Sequence, residues 1–233
     1  MTALREATYS SSVFNVTDVE QAKKIILTTE GQLTTEERWR TETPYLLSLI
    51  EEQVKLDEDS VVLDYGCGIG RLSKALIERY DCWVVGVDIS PSMRALAASY
   101  VSSPKFSALA PEFFDCGAFD PKFDLALAVW TLQHCYDVEA DVARISGSLI
   151  RGGKLFVVND RKRLVPTRQC GWANDGKDIL RVLDDDVLLD GGSVGELDPR
   201  GVGDLIASVS FWGTWRRNIE AEMRQQKRRR GGC

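Results

Sequence analysis

Histidine is almost absent from this sequence: 233 residues contain one, His134. No two of the six cysteines (67, 82, 116, 135, 170 and 233) form a Cys-x-x-Cys pair. These two absences argue against a zinc cluster, whose cysteine and histidine ligands stand at short spacings, so no metal site is expected. Cys67 and Cys82 have apolar neighbours and read as small, reduced core residues, which suits a cytoplasmic protein. No unbroken apolar run approaches the roughly 18 residues that a membrane helix needs. The start, Met1-Thr2-Ala3-Leu4-Arg5-Glu6, is polar and lacks a secretory pattern. Gly 19 and Pro 7 are too few for a fibrous chain. These absences predict a soluble, cytoplasmic protein with no membrane contact.

What is present is a 44% hydrophobic, 27% charged chain, enough apolar material for one ordinary domain. Its net charge of −6 is uneven. Residues 216–233 hold seven Lys/Arg against two Asp/Glu, a local +5 that leaves −11 on residues 1–215. An acidic body argues against a broad nucleic-acid face. The basic end, Arg224 to Arg230, reads first as a solvated tail and second as a phosphate anchor.

Apolar periodicity organises the rest. Val19–Leu27 reads as a short helix. Thr34-Thr35-Glu36-Glu37 has the form of a capping box, with Glu37 reaching back to Thr34. Thr43-Pro44 is a second helix-start signal, a hydroxyl cap followed by proline at the first helical position. Val61 to Tyr65, Cys82 to Val87, Phe123 to Val129 and Lys154 to Asn159 are short β-branched or apolar runs that read as buried strands. Helical stretches at 71–80, from Ser90-Pro91 to about Tyr100, and after Asp137 separate them. Gly191-Gly192 and Gly195 are expected to mark turns, 175–183 a helix and Val209–Trp215 a last strand. Strands alternating with helices predict a parallel sheet covered on both faces, with ligands at the strands' carboxyl ends.

The unit at 61–80 carries the most chemistry. Gly66-x-Gly68-x-Gly70 follows a strand and opens a helix, so backbone can approach a ligand closely. The dinucleotide fingerprint is spaced G-x-G-x-x-G instead. Asp64, two residues before the first glycine, would repel a pyrophosphate but suits a ligand bearing ammonium and sulfonium charge. Asp88 ends the second strand, eighteen residues after Gly70, where a carboxylate accepts hydrogen bonds from ribose hydroxyls.

With these features the chain resembles the class I S-adenosylmethionine-dependent methyltransferases. The resemblance rests on residues 61–70, on Val84-Val85-Gly86-Val87-Asp88-Ile89-Ser90, on 123–134 and on 149–158, in family order and spacing over about 45–160. It implies a doubly wound, Rossmann-like α/β sheet of seven strands, mostly parallel, with the last strand antiparallel and helices on both faces. It implies S-adenosyl-L-methionine as cofactor, with Asp64, Gly66, Gly68 and Gly70 at its methionine end, Asp88 on its ribose and Ile89 and Met93 beside its adenine. Trp130 is expected to cover the cofactor or line the acceptor side. The family often has an acidic residue near the adenine amino group after the third strand; 106–115 does not align cleanly there, and Asp115 or a backbone group would serve.

The implied function is methyl transfer to a small-molecule acceptor at O, N or C. The alternatives are an RNA or protein methyltransferase using the basic tail, and a non-catalytic S-adenosylmethionine-binding protein. A nicotinamide-dependent oxidoreductase is disfavoured by the glycine spacing and Asp64. His134 is the candidate base, with a purely structural role as its alternative. Arginines 38 and 40 and Trp39 belong to a helix that in similar enzymes closes over the cofactor, where an arginine meets its carboxylate, with a solvated helix face as the first reading for either arginine; Tyr9 and Phe14 are candidates for the same lid. Trp172 and Arg168 are candidate acceptor contacts. The implied organisation is an N-terminal arm and lid helix over 1–43, a methyltransferase domain over 44–216 with an acceptor-side segment at 161–203, and a basic tail over 217–233.

Overall fold

Val62 and Leu63 show why the chain folds as it does. Adjacent strand residues point to opposite faces, and both residues are fully buried, so the central strand needs cover on each side. The computed structural model describes residues 8–31, 33–115 and 122–218. The side chain of Asp115 and the basic tail from residue 219 onward lie outside that description.

The elements follow in chain order. A 3-10 turn (Ser11–Phe14) precedes α1 (Val19–Ile26) and α2 (Thr35–Gln53). Then come β1 (Val61–Tyr65), α3 (Arg71–Tyr80), β2 (Trp83–Val87), α4 (Pro91–Val101), β3 (Phe106–Leu109) and α5 (Pro111–Asp115). Next are β4 (Phe123–Val129), a 3-10 turn (Leu132–His134), α6 (Val138–Ser148) and β5 (Leu149–Asp160). The chain continues with β6 (Val165–Thr167), β7 (Gly171–Ala173), α7 (Ile179–Asp185), β8 (Leu189–Gly195), α8 (Pro199–Val202), α9 (Asp204–Val209) and β9 (Ser210–Arg217).

The main sheet has seven strands in the order β3-β2-β1-β4-β5-β9-β8. The pairs from β3 through β5 are parallel, and β9 runs antiparallel to both β5 and β8. This is the Rossmann-like architecture expected, with its last strand antiparallel. Strand order reverses between β1 and β4, which opens a crevice past their carboxyl ends. One face buries Leu63, Ala126 and Val157 under α6 and α7; the other buries Val62, Leu125, Leu127 and Phe156 with α2 and α3. Among the described residues, no helix is long and apolar enough to cross a membrane.

Three local expectations need correction. Helix α2 does not restart at Pro44; it runs unbroken from Thr35 to Gln53 with the proline inside, so position 43/44 falls within one helix. Proline forfeits one backbone bond there. Buried Arg38 and Glu42 before it, and Leu46, Leu47 and Ile50 after it, hold both halves in place. The glycines at 191–195 are not turns but part of edge strand β8, with a bulge between Asp190 and Ser193. A Cβ at Gly195 would lie 2.5 Å from the Trp212 indole nitrogen, so absent side chains make room for β9 tryptophans. Strand β5 begins at Leu149, before Gly152-Gly153, rather than at Lys154. The small β6–β7 hairpin had no visible sequence signal.

Candidate functional site

The glycine loop turns by left-handed backbone: φ is +80° at Gly66, +55° at Gly68 and +82° at Gly70. A Cβ at Gly66 would stand 2.2 Å from the Thr131 hydroxyl, so only glycine lets the loop pass beneath the end of β4. Gly66 and Cys67 donate their amides to the Val87 carbonyl at 2.7 and 3.1 Å, fastening the loop to β2. Asp88, next in the chain, accepts from the Gly68 amide at 2.8 Å and from the Ser90 amide at 2.8 Å. Burial raises its carboxyl above the usual carboxylate value, and the two amides oppose that rise.

A cavity of about 840 Å³ opens over this loop. Of the residues expected at the cofactor, Gly66, Gly68, Asp88, Ile89, Met93 and Trp130 line it. Pro111 joins Ile89 and Met93 on its wall, a position sequence reasoning missed. Asp64 and Gly70 stand behind the lining. Asp64 is buried and accepts from the Ser73 hydroxyl at 2.6 Å, on the first turn of α3. Desolvation lifts its carboxyl to about 6, against the pull of Ser73 and of Arg71. Gly70 is the left-handed residue preceding α3.

Trp130 ends β4 with a positive φ of +56°, held by its amide bond to the Val158 carbonyl at 2.7 Å. Its indole N–H donates to Glu42 Oε1 at 2.8 Å. Glu42 is fully buried and also meets Arg38 at 2.7 Å and Arg71 at 3.1 Å. Arg38 lines the cavity, donates to the Thr28 carbonyl at 2.8 Å and has a buried Nε with no partner. Sequence reasoning singled out Arg38 but missed Glu42; the i, i+4 spacing of the two on one helix was the available signal.

The far end of the cavity is aromatic. His134 Nδ1 lies 2.7 Å from the Leu164 carbonyl, so that nitrogen carries the proton, and Nε2 accepts from the Gln133 side-chain amide at 3.4 Å. Burial depresses the ring's pKa, which favours the neutral imidazole. Phe14 and Trp172 pack against this ring with centroids at 5.6 and 5.2 Å, and Tyr9 packs on Tyr136 at 5.7 Å. All five line the cavity, together with Ile25, Ile26 and Thr28 from the α1 region. Arg168, by contrast, is exposed and stands off the lining. The N-terminal segment is fastened across the site: Ser10 donates its amide to the Pro166 carbonyl at 3.0 Å, and Tyr9 bridges to Thr167. Beneath the aromatic end, Tyr65 donates to Asp141 at 2.6 Å, and Arg144 meets the same carboxylate at 2.7 Å.

Comparison with known proteins gives this arrangement a lineage. The profile of a family described as "Methyltransferase domain" matches residues 63–157. Phosphoethanolamine N-methyltransferase 3 of Arabidopsis thaliana is 32% identical over 111 residues, 46% of this chain and 22% of that protein. Ajmaline N-methyltransferase of Rauvolfia serpentina is 28% identical over 113 residues, 46% of this chain and 39% of its own length. The match therefore spans well under half of those relatives. In fold, the chain is similar to geranyl diphosphate C-methyltransferase from Streptomyces coelicolor A3(2), with a TM-score of 0.62 at 15% identity, covering 86% of this chain and 82% of that one.

Proposed function

We propose that the chain, whose residues 63–157 match a methyltransferase-domain family, is a class I S-adenosylmethionine-dependent methyltransferase that transfers a methyl group to a small, uncharged acceptor. The observation that carries this reading is the joint placement of Gly66, Gly68, Asp88 and His134 on one cavity. The residues present fit the cofactor. Gly66 and Gly68 bring bare backbone to the cavity, closed over by Thr131 and Ile26 where a Cβ would stand, Asp88 has lone pairs for two ribose hydroxyls, and Ile89, Met93 and Pro111 offer an apolar slot for a base. Arg38, on the cavity wall, brings a guanidinium charge to that end for a carboxylate. Asp64 acts one step back, through Ser73 and the start of α3.

When bound, the cofactor supplies a methyl already activated on a sulfonium. The chain's remaining work is to exclude water, align the acceptor and take up a proton where the acceptor loses one. Neutral His134, its Nδ1 proton committed to Leu164, takes up that proton at Nε2 in exchange for the long 3.4 Å bond from the Gln133 amide. Phe14, Trp172, Tyr9 and Tyr136 give the acceptor an aromatic enclosure. Among the described residues on that side, Asp137, Asp141 and Asp160 line the cavity and Arg144 is held on Asp141. Over the whole lining, Asp88, Asp137, Asp141 and Asp160 face Lys24, Arg38 and Arg144, a small acidic excess that favours an uncharged acceptor over a phosphorylated one.

Calorimetry and turnover test the reading in sequence. S-adenosylmethionine and S-adenosylhomocysteine should bind one to one, and NAD should not. Across a panel of acceptors, neutral hydroxyl or amine compounds should give methylated product ahead of their phosphate esters. Binding of NAD in place of the sulfur compounds would overturn the assignment; donor binding with no turnover on any acceptor would leave a non-catalytic binding protein.

A further inference from the structure

Three donors from three separate elements meet on one carboxylate. Glu42, on α2, is fully buried and accepts from Arg38 of its own helix at 2.7 Å, from Arg71 at the first position of α3 at 3.1 Å, and from the Trp130 indole at the end of β4 at 2.8 Å. Arg38 and Arg71 are 3% and 4% exposed. A lone carboxylate or guanidinium is costly to bury, so such a cluster persists where its geometry is put to use or tightly balanced. Two of its three donors, Arg38 and Trp130, line the cavity, and Glu42 itself does not. Arg38 also donates to the carbonyl of Thr28, on the segment that leads from α1 over the cavity. Trp130 sits in left-handed backbone, a conformation that bulky residues adopt only when their surroundings impose it.

We propose that Glu42 is a positioning residue that sets the cofactor end of the cavity by holding Arg38 and Trp130 in place and linking both to the α1–α2 cover. The inference rests on the cofactor reading above. Glu42 touches no ligand in this scheme. Its charge fixes the Arg38 fork on the cavity wall, and its Oε1 turns the Trp130 indole edge toward α2. Arg71 balances the carboxylate from the side away from the cavity, with Thr43 as its second partner at 3.2 Å. Loss of Glu42 therefore frees two wall residues at once, whereas loss of Arg71 frees neither.

The test uses the full chain and S-adenosylhomocysteine affinity by calorimetry, with near-ultraviolet circular dichroism to follow Trp130. Glu42→Gln combined with Arg71→Met keeps the cluster's net charge at its native value while removing the anchor. This double variant should bind S-adenosylhomocysteine about tenfold or more weakly, as expected for loss of charge-assisted contacts. Its tryptophan dichroism should also change. Arg71→Met alone should stay within about threefold of wild type, since wall contacts survive. Glu42→Asp keeps the charge but withdraws it by one methylene; it should fall between the two, and it decides the matter if the double variant does not fold. A folded double variant, or Glu42→Asp in its stead, that binds like wild type overturns the proposal. So does an Arg71→Met variant as impaired as the double one, because the cluster would then act as general scaffolding. Wild-type protein that fails to bind S-adenosylhomocysteine would instead strike the cofactor reading on which this rests.

Discussion

Asp88 accepts two backbone amides while presenting its carboxylate to the cavity. On the reading proposed above, Asp88→Ala removes a ribose partner, and it orphans two N–H groups. The expected loss in S-adenosylmethionine affinity is about 1.5–3 kcal/mol, the range for hydrogen bonds to a charged group; unchanged calorimetric affinity would contradict the ribose assignment. His134 makes a different prediction. Its pKa is lowered from 6.5 by burial, so as a base it stays unprotonated to lower pH than a free histidine. The acidic limb of the pH–rate profile should therefore fall below 6.5, and His134→Ala should lower the rate without changing cofactor affinity. A rate unaffected by the substitution leaves the ring with only its packing on Phe14 and Trp172. Asp64 gives a stability signature. Its folded-state carboxyl lies at about 6 against 3.8 in the unconstrained state. The folded chain holds that proton more tightly, so this contribution is fully present below 3.8 and is lost as pH rises to about 6. The upper limit is about 3 kcal/mol at 1.36 kcal/mol per pH unit. Asp64→Asn should flatten the decline in urea-unfolding free energy over that window; an unchanged slope would assign it to other groups.

At this scale the sequence revealed residues that act through local spacing. That Gly66, Gly68 and Asp88 share one cavity was legible because strand, loop and helix are contiguous, whereas Asp64 and Gly70, expected beside them, stand behind the lining. The Glu42 cluster was not, since its donors come from positions 38, 71 and 130 and only the fold assembles them. The tyrosine–aspartate pair of Tyr65 and Asp141, 76 residues apart, was hidden for the same reason.

Among the elements, α2 separates local signals from tertiary ones. Its capping box formed as read, Thr34 accepting from the Glu37 amide at 3.2 Å and Glu37 accepting from the Thr34 amide at 2.8 Å. Thr34→Ala should cost about 1 kcal/mol in chemical denaturation. Pro44 misled because a proline after threonine looks the same at a helix start and inside a helix stapled from both sides. Pro44→Ala restores a backbone donor to an unbroken helix and should stabilise the protein by about 1–3 kcal/mol. A loss of stability would show that the proline's restriction of the unfolded chain outweighs the missing backbone bond. Strands 1, 2 and 4 were legible because parallel strands buried on both faces need continuous apolar runs. The edge strand β8 was not, because its exposed glycines answer to the tryptophans of β9 rather than to any local propensity.

For the whole molecule, the order of the sheet places the crevice, and the N-terminal segment closes it. That segment is pinned at Ser10 and Tyr9 to β6 and at Thr28 to Arg38, with Val13, Phe14, Ile25 and Ile26 facing the cavity between. One stretch of chain thus touches both the glycine-loop end and the His134 end. Ligand occupancy at either end should slow proteolytic cleavage between residues 8 and 18, and saturation at a hundredfold excess over Kd adds about 2.7 kcal/mol to global stability. A cleavage rate indifferent to S-adenosylhomocysteine would show that the segment is not part of the closed site.

The Tyr9–Thr167 fastening has a kinetic corollary. A clasp shared by two guests cannot be undone for one alone, so spent donor and finished product would leave through the same unlatching. Turnover would then keep time with the peeling of a few N-terminal residues, sensitive to solvent viscosity and indifferent to how reactive the acceptor atom is.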